Sequence, residues 1–219
     1  FIGIEYDIVA ISLAPRFGGT DGDYSAVDEM CREMGIEYKL IRTHIGEIVF
    51  DVRQESNPCS LCARMRRGAL HDAAKEAGCN KIALGHHFDD AIETTLMSML
   101  YGAEIKTMMP KLKSTNFEGM ELIRPLYMVR ERDIISWARY NELEFIRCAC
   151  SVTKKDAETC DGSKRQEVKE LIRKLTEEND KVDMNIFRSI HNVNLATIIG
   201  YRERDGGDVH LFTEHYDES

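Results

Sequence analysis

No stretch of the 219-residue chain approaches the roughly 18 consecutive apolar residues that a membrane-spanning helix requires. The opening Phe1-Ile2-Gly3-Ile4-Glu5 has no basic segment and no small-residue cleavage site, so nothing marks a secretory leader. It also lacks an initiator Met and runs almost at once into an apolar stretch, which predicts that a segment precedes Phe1. No internal repeat and no low-complexity tract is present, which argues against a repeat architecture. Basic residues are outnumbered, 29 Lys and Arg against 38 Asp and Glu, for a formal charge of −9. That balance argues against a generic nucleic-acid-coating surface and leaves room for a local basic groove.

What is present suits a globular chain. Hydrophobic residues make up 43% and charged residues 31%, enough for a sizeable core. Seven cysteines, an odd number without an export signal, suit a reducing cytoplasm in which thiols bind metals or do chemistry. Cys31 and Cys79 stand singly beside helical apolar positions and read as small buried hydrophobes.

Residues 7–14 are short, apolar and β-branched and predict a buried strand. Ser25 and Asp28 resemble a capping box opening a helix that stops at Gly35, and 36–43 predicts a second strand. A polar connector leads to Pro58. Helical patterns follow over 60–77, 89–100, 130–141, 163–179 and 182–190, with strands at 81–85 and 144–147. Residues 102–125 carry strand-like pieces, and the polar, Gly-rich tail from Arg202 predicts no regular structure. Strands alternating with helices of this length predict an α/β fold with a doubly wound parallel sheet and a C-terminal helical extension. In such sheets ligands sit beyond the carboxyl ends of the strands. That edge should gather the segment after Ala14, Gly85-His86-His87, Cys148-Ala149-Cys150 and, through its helix, the Cys59/Cys62 pair.

Pro58-Cys59-Ser60-Leu61-Cys62-Ala63-Arg64-Met65-Arg66-Arg67 is the strongest local signal. Two cysteines at i and i+3 in a first helical turn face the same way, and a helix N-terminus with arginines favours thiolate. The pair fits half a zinc site, part of an iron–sulfur site or a redox dithiol. Cys148 or Cys150 would supply one further ligand, and three thiolates leave a metal with an open coordination position, whereas Cys160 would close a structural four-cysteine site. Gly85-His86-His87-Phe88-Asp89-Asp90 joins a strand end to a helix start, where backbone N–H groups can hold phosphate and carboxylates Mg²⁺. Adjacent acids there can equally be helix caps. Arg64, Arg66, Arg67, Lys106, Lys111, Lys113 and Arg124 would form a local positive zone suited to positioning an RNA through its phosphates.

Pro58 to Gly68, Lys81-Ile-Ala-Leu-Gly-His-His-Phe-Asp-Asp90, Met109-Pro-Lys-Leu112, Ile123-Arg-Pro-Leu126 and Ile186 to Asn194 occur in this order and spacing. Together they resemble the tRNA 2-thiocytidine synthetase (TtcA-like) branch of the PP-loop ATP pyrophosphatases, over about residues 5–200. The resemblance implies a reaction: ATP adenylates the C2 oxygen of a tRNA cytidine, and sulfur then displaces AMP. It implies a [4Fe–4S] cluster that carries sulfide, held by Cys59, Cys62 and Cys150, with Cys148 the fallback. It places Gly85, His86 and His87 beside ATP, Asp89 and Asp90 beside ATP and Mg²⁺, and Arg66 near the reacting centre. It also implies tRNA and a sulfur donor, a cysteine desulfurase or sulfide, as partners, and a homodimer. The domains expected on this basis are a PP-loop ATPase-like unit over 1–150, a helical region over 151–200 and a polar tail over 201–219.

One departure bears on activity. The family is defined by an SGGxDS loop after its first strand, and no such string occurs here. The strand at 7–14 corresponds to the family's second, so the first strand, the loop and its helix are expected upstream of Phe1. Gly18-Gly19-Thr20-Asp21 follows the wrong strand and lacks the serines. The competing expectations are a related 2-thiouridine synthase, a non-catalytic metal- or RNA-binding fragment, and a structural Zn²⁺ protein using Cys160.

Overall fold

The computed structural model describes residues 5–16, 22–53, 58–115, 117–143, 164–203 and 207–214. Strand β1 (Val9–Pro15) pairs in parallel with β2 (Glu37–Thr43), from Val9 opposite Glu37 to Pro15 opposite Thr43. Their crossover is α1 (Ser25–Glu33), whose buried face carries Cys31. Gly35, at φ +66, ends it: the Ile36 N–H turns back to donate to the Cys31 carbonyl at 2.8 Å. The expected Ser25–Asp28 capping box does not form. The helix begins at Ser25 itself, so its hydroxyl falls inside the first turn; Asp23 Oδ1 accepts from the Ser25 N–H at 2.9 Å, and Asp28 pairs with Arg32 at 2.6 Å.

The connector expected after β2 is helical over much of its length. A short α2 (Ile45–Glu47) continues as a π-helix over Ile48–Arg53. Ile45 and Val49, 4% and 0% exposed, form a buried apolar i, i+4 pair. Next comes α3 (Pro58–Glu76), which starts on a proline suited to a first helical position and buries His71, Ala73 and Ala74.

Strand β3 (Lys81–Ala83) leads into α4 (Phe88–Gly102); β4 (Lys111–Lys113) and β5 (Glu121–Ile123) follow. β5 lies between β3, to which it is parallel, and β4, to which it is antiparallel. The described ladder is thus in two pieces, with the expected parallel pairings in each and one antiparallel edge. The strand expected over 144–147 lies outside the described residues.

α5 (Glu131–Tyr140), α6 (Lys164–Glu178) and α7 (Val182–Ser189) are the remaining α-helices among the described residues. One apolar cluster unites α4 with α6 and α7: Phe88, Ala91 and Ile92 pack with Val168, Ile172 and Phe187, and Tyr127 closes it from the turn after β5. Phe88 stacks on Phe187 with ring centroids 4.5 Å apart. The tail is more ordered than its polarity suggests. β6 (Gly200–Arg202) and β7 (Val209–Leu211) form an antiparallel hairpin, and Tyr201 stacks on His210 at 4.8 Å. The string Asp205-Gly206-Gly207 between them is the turn signature that could have announced it.

Candidate nucleotide and thiolate site

Ala83 stands opposite Ile123, and the Leu84 N–H donates to the Ile123 carbonyl at 3.0 Å. Gly85-His86-His87 and Arg124 therefore leave the sheet side by side at its carboxyl edge, where this class of fold holds ligands. A Cβ placed on Gly85 would meet nothing within 4 Å, so the edge is open there. His87 caps α4. Its Nδ1 accepts from the Asp90 N–H at 3.4 Å, and its own N–H donates to Asp90 Oδ2 at 3.0 Å.

The two acids are tied to distant elements. Asp89 Oδ2 accepts from the Glu131 N–H at 2.7 Å, which locks the start of α4 to the start of α5. Asp90 Oδ1 accepts from Arg165 of α6 at 2.7 Å, and the same guanidinium reaches buried Glu93 at 3.1 Å. Lys169, one turn further along α6, pairs with Glu131 at 2.6 Å. Burial raises the Asp90 carboxyl, but the His87 N–H, the neighbouring His87 ring and the Arg165 guanidinium outweigh it and hold the pKa below its ordinary value. Glu93 goes the other way. Burial raises it, and Arg165 and Lys169 offset this only in part.

His86 is kept towards its neutral form by burial, and its Nδ1 is buried without a hydrogen-bond partner. Arg124 beside it donates from Nη1 to the Met109 carbonyl, while its Nε is buried and unpartnered. Orphaned buried polar atoms at an open strand edge fit a polar ligand such as a nucleotide.

Cys59 is exposed and Cys62 half-buried on the first turn of α3, three residues apart and so on one face. Arg64, Arg66 and Arg67 follow on exposed positions, without an ion pair among the described residues. The cysteine helix α3 packs against β1 and β3, which brings it to the sheets that carry the strand-end edge. Two thiols in the first turn of an arginine-bearing helix fit thiolate ligation of iron–sulfur or zinc. Cys148, Cys150 and Cys160 lie outside the described residues. Among the described residues, no three His, Cys, Asp or Glu side chains gather as a metal site.

The expected basic zone is narrower than its residue count. Lys106 is paired with Glu104, and Lys111 shares Glu121 with Lys81 at 3.1 Å each. Sequence reasoning missed Arg165, Lys169 and Glu93. Glu93 carried a signal: it sits one turn beyond Asp89 and Asp90 on the same helical face, among apolar residues. Arg165 and Lys169 looked like ordinary charges on an amphipathic helix.

The PP-loop domain family matches residues 16–154. A tRNA-cytidine(32) 2-sulfurtransferase of Geobacter sulfurreducens is 36% identical over 191 residues, covering 87% of this chain and 71% of the relative. The chain belongs to this family. The protein of the same name in Coxiella burnetii is 37% identical over 198 residues, covering 90% and 74%. Among solved structures, the U34-tRNA thiolase NcsA of Methanococcus maripaludis, with its [4Fe–4S] cluster, superimposes with a TM-score of 0.64 at 26% identity. That match covers 89% of this chain and 66% of the thiolase, just under two thirds of its length.

Proposed function

We propose that the chain carries out ATP-dependent thiolation of a tRNA cytidine, forming 2-thiocytidine. The observation that carries this reading is the chain's 36% identity to a named sulfurtransferase, together with a cysteine pair opening an arginine-rich helix and an open strand-end edge. A cytidine C2 oxygen is a poor leaving group. Attack of that oxygen on the α-phosphate of ATP releases pyrophosphate and converts it to AMP, which sulfur can then displace.

The residues suit these tasks. Gly85 leaves room for a nucleotide to approach the backbone, His86 offers an uncharged ring nitrogen, and His87 holds the loop against α4. Asp90 orients His87 and Arg165, and Asp89 fixes the loop to α5. Arg66, exposed one turn beyond Cys62, is placed to meet developing negative charge. A [4Fe–4S] cluster would be held by Cys59, Cys62 and Cys150. When bound, it would supply an iron free of protein ligands that can deliver sulfur to the activated carbon. Asp89 and Asp90 would be the carboxylates to meet a Mg²⁺ carried with ATP, since each oxygen that accepts one hydrogen bond keeps a second lone pair. The sulfur donor, cysteine desulfurase or sulfide, a homodimeric assembly, and a division at residues 150/151 into PP-loop and helical regions belong to the same proposal.

The test is the iron, acid-labile sulfide and zinc content of anaerobically purified protein, followed by mass spectrometry of tRNA incubated with it, ATP and sulfide. About four irons and four sulfides per chain, with a 2-thiocytidine product, are expected. A 2-thiouridine product would transfer the reading to the other base. The second reading is a non-catalytic metal- or RNA-binding scaffold. Failure to bind Mg²⁺-ATP would support it, and a single tightly held zinc would remove the cluster.

A further inference from the structure

Arg124 emerges from β5 next to the Gly85-His86 segment, because β3 and β5 run parallel with Ala83 opposite Ile123. Its guanidinium is half-buried and tethered at one end to the Met109 carbonyl, while its Nε is buried with no hydrogen-bond partner. Among the described residues no carboxylate pairs with it. Asp90, the nearby acid that acts on it, already spends one oxygen on the His87 N–H and the other on Arg165. Arginine stays ionised in proteins, so this is a cation held partly out of water without a direct counter-charge. Burial, with the like charge of Arg67 behind it, pulls its pKa below the ordinary arginine value, and Tyr127 and Asp90 relieve this only in part.

Arg124 thus stands as a partly desolvated cation without an ion-pair partner among the described residues, at an edge open to ligand. The arrangement is unfavourable alone. A phosphate placed against it turns that desolvated charge into a charge-assisted contact, and the planar guanidinium matches its oxygens. We propose that Arg124 grips a phosphate group at the carboxyl edge of β5. In the thiolation reading, on which this rests, that phosphate comes from the nucleotide or from the tRNA backbone. Lys106 and Lys111, already paired with Glu104 and Glu121, are not part of the grip.

Binding of adenylyl imidodiphosphate, of unmodified tRNA and of inorganic pyrophosphate is measured separately on the full chain and on Arg124→Gln and Arg124→Lys. Arg124→Gln is expected to weaken one ligand about ten- to a hundredfold, the range for a charge-assisted contact. Arg124→Lys, which keeps the charge without the planar guanidinium, should weaken the same ligand by a smaller factor. Loss of the nucleotide analogue alone assigns the phosphate to the nucleotide. Loss of tRNA, with the salt dependence reduced by about one phosphate contact, assigns it to the RNA. If the unaltered chain binds neither, the thiolation reading fails. In that case Arg124-dependent binding of pyrophosphate keeps the phosphate grip, and no binding of pyrophosphate overturns it. Wild-type affinities for all three ligands in Arg124→Gln, or in Arg124→Lys where Arg124→Gln unfolds, would also overturn it.

Discussion

Arg165 and Asp90 are 75 residues apart in the chain, and their side chains meet at 2.7 Å. The same guanidinium also reaches Glu93, whose side chain is only 6% exposed. One residue of a C-terminal helix therefore holds the acid that caps α4 and compensates a buried carboxylate one turn further along. The helical extension is in this way built into the wall of the strand-end site.

Removing that guanidinium should be felt in stability first. Arg165→Gln leaves Glu93 buried with a weaker partner, and a loss of about 1–2 kcal/mol is expected, because the guanidinium is itself partly solvated. Glu93→Gln should relieve most of the penalty, so the double variant should be more stable than the sum of the single losses allows. Urea unfolding of the four proteins measures this. Strict additivity would show that Arg165 and Glu93 do not depend on one another.

The buried imidazoles give the fold an acid-sensitive edge. Burial lowers the pKa of both His71 and His86 from an ordinary value of 6.5, so the unfolded chain takes up their protons before the folded one does. The stability they allow is complete above 6.5 and is lost as pH falls from there through the folded values. Asp90, whose pKa is lowered, adds a loss that begins only near its ordinary value of 3.8. His71 stacks on Phe117 at 4.5 Å with its Nδ1 unpartnered, so His71→Phe keeps the stack and removes the proton site. Unfolding free energies at pH 7.5 and 5.5 should differ less in this variant than in the unaltered chain.

Much of this architecture could be read from residue order. Alternating strands and helices, the cysteine pair on a first turn and the strand-to-helix position of Gly85 to Asp90 all follow from local pattern, and each appears where local physics puts it. What escaped was non-local. Nothing in the amphipathic run Lys164 to Glu178 says that Arg165, rather than Arg173 or Lys174, will meet Asp90. That depends on how α6 docks, and docking is set by Val168 and Ile172 in the shared core. The π-helix at 48–53 escaped for a related reason: Ile48, Val49, Phe50 and Val52 do not follow a 3.6-residue period, and of the six residues only Val49 is fully buried.

Phe88 ties the site to that core. It is 1% exposed, stacks on Phe187, and lies under the Arg130 guanidinium at 3.9 Å from its ring centroid. As the first residue of α4 it also anchors the His87 cap. Phe88→Ala should cost about 3–5 kcal/mol, the usual range for a buried aromatic cut to alanine. Thermal melting should show the loss, together with a weakened near-ultraviolet aromatic signal. A change under 1 kcal/mol would mean that the α4–α7 packing is less tightly coupled than its geometry indicates.

The cysteines divide by position. Cys59 and Cys62 share a face at the start of α3, whereas Cys79 follows its far end. At 1.5 Å per residue the helix separates Cys79 from Cys59 by about 26 Å, too far for one cluster. Cys31 is 5% exposed in the apolar contact beneath α1. Cys59→Ala, Cys62→Ala and Cys150→Ala are therefore expected to lose bound iron and acid-labile sulfide, and Cys31→Ala and Cys79→Ala to retain them. Iron and sulfide analysis of anaerobically purified variants decides it. If Cys150→Ala kept a full complement while Cys148→Ala lost it, the third ligand would be Cys148. Loss of a single bound zinc on Cys160→Ala would instead identify a closed structural site and remove the iron available to deliver sulfur.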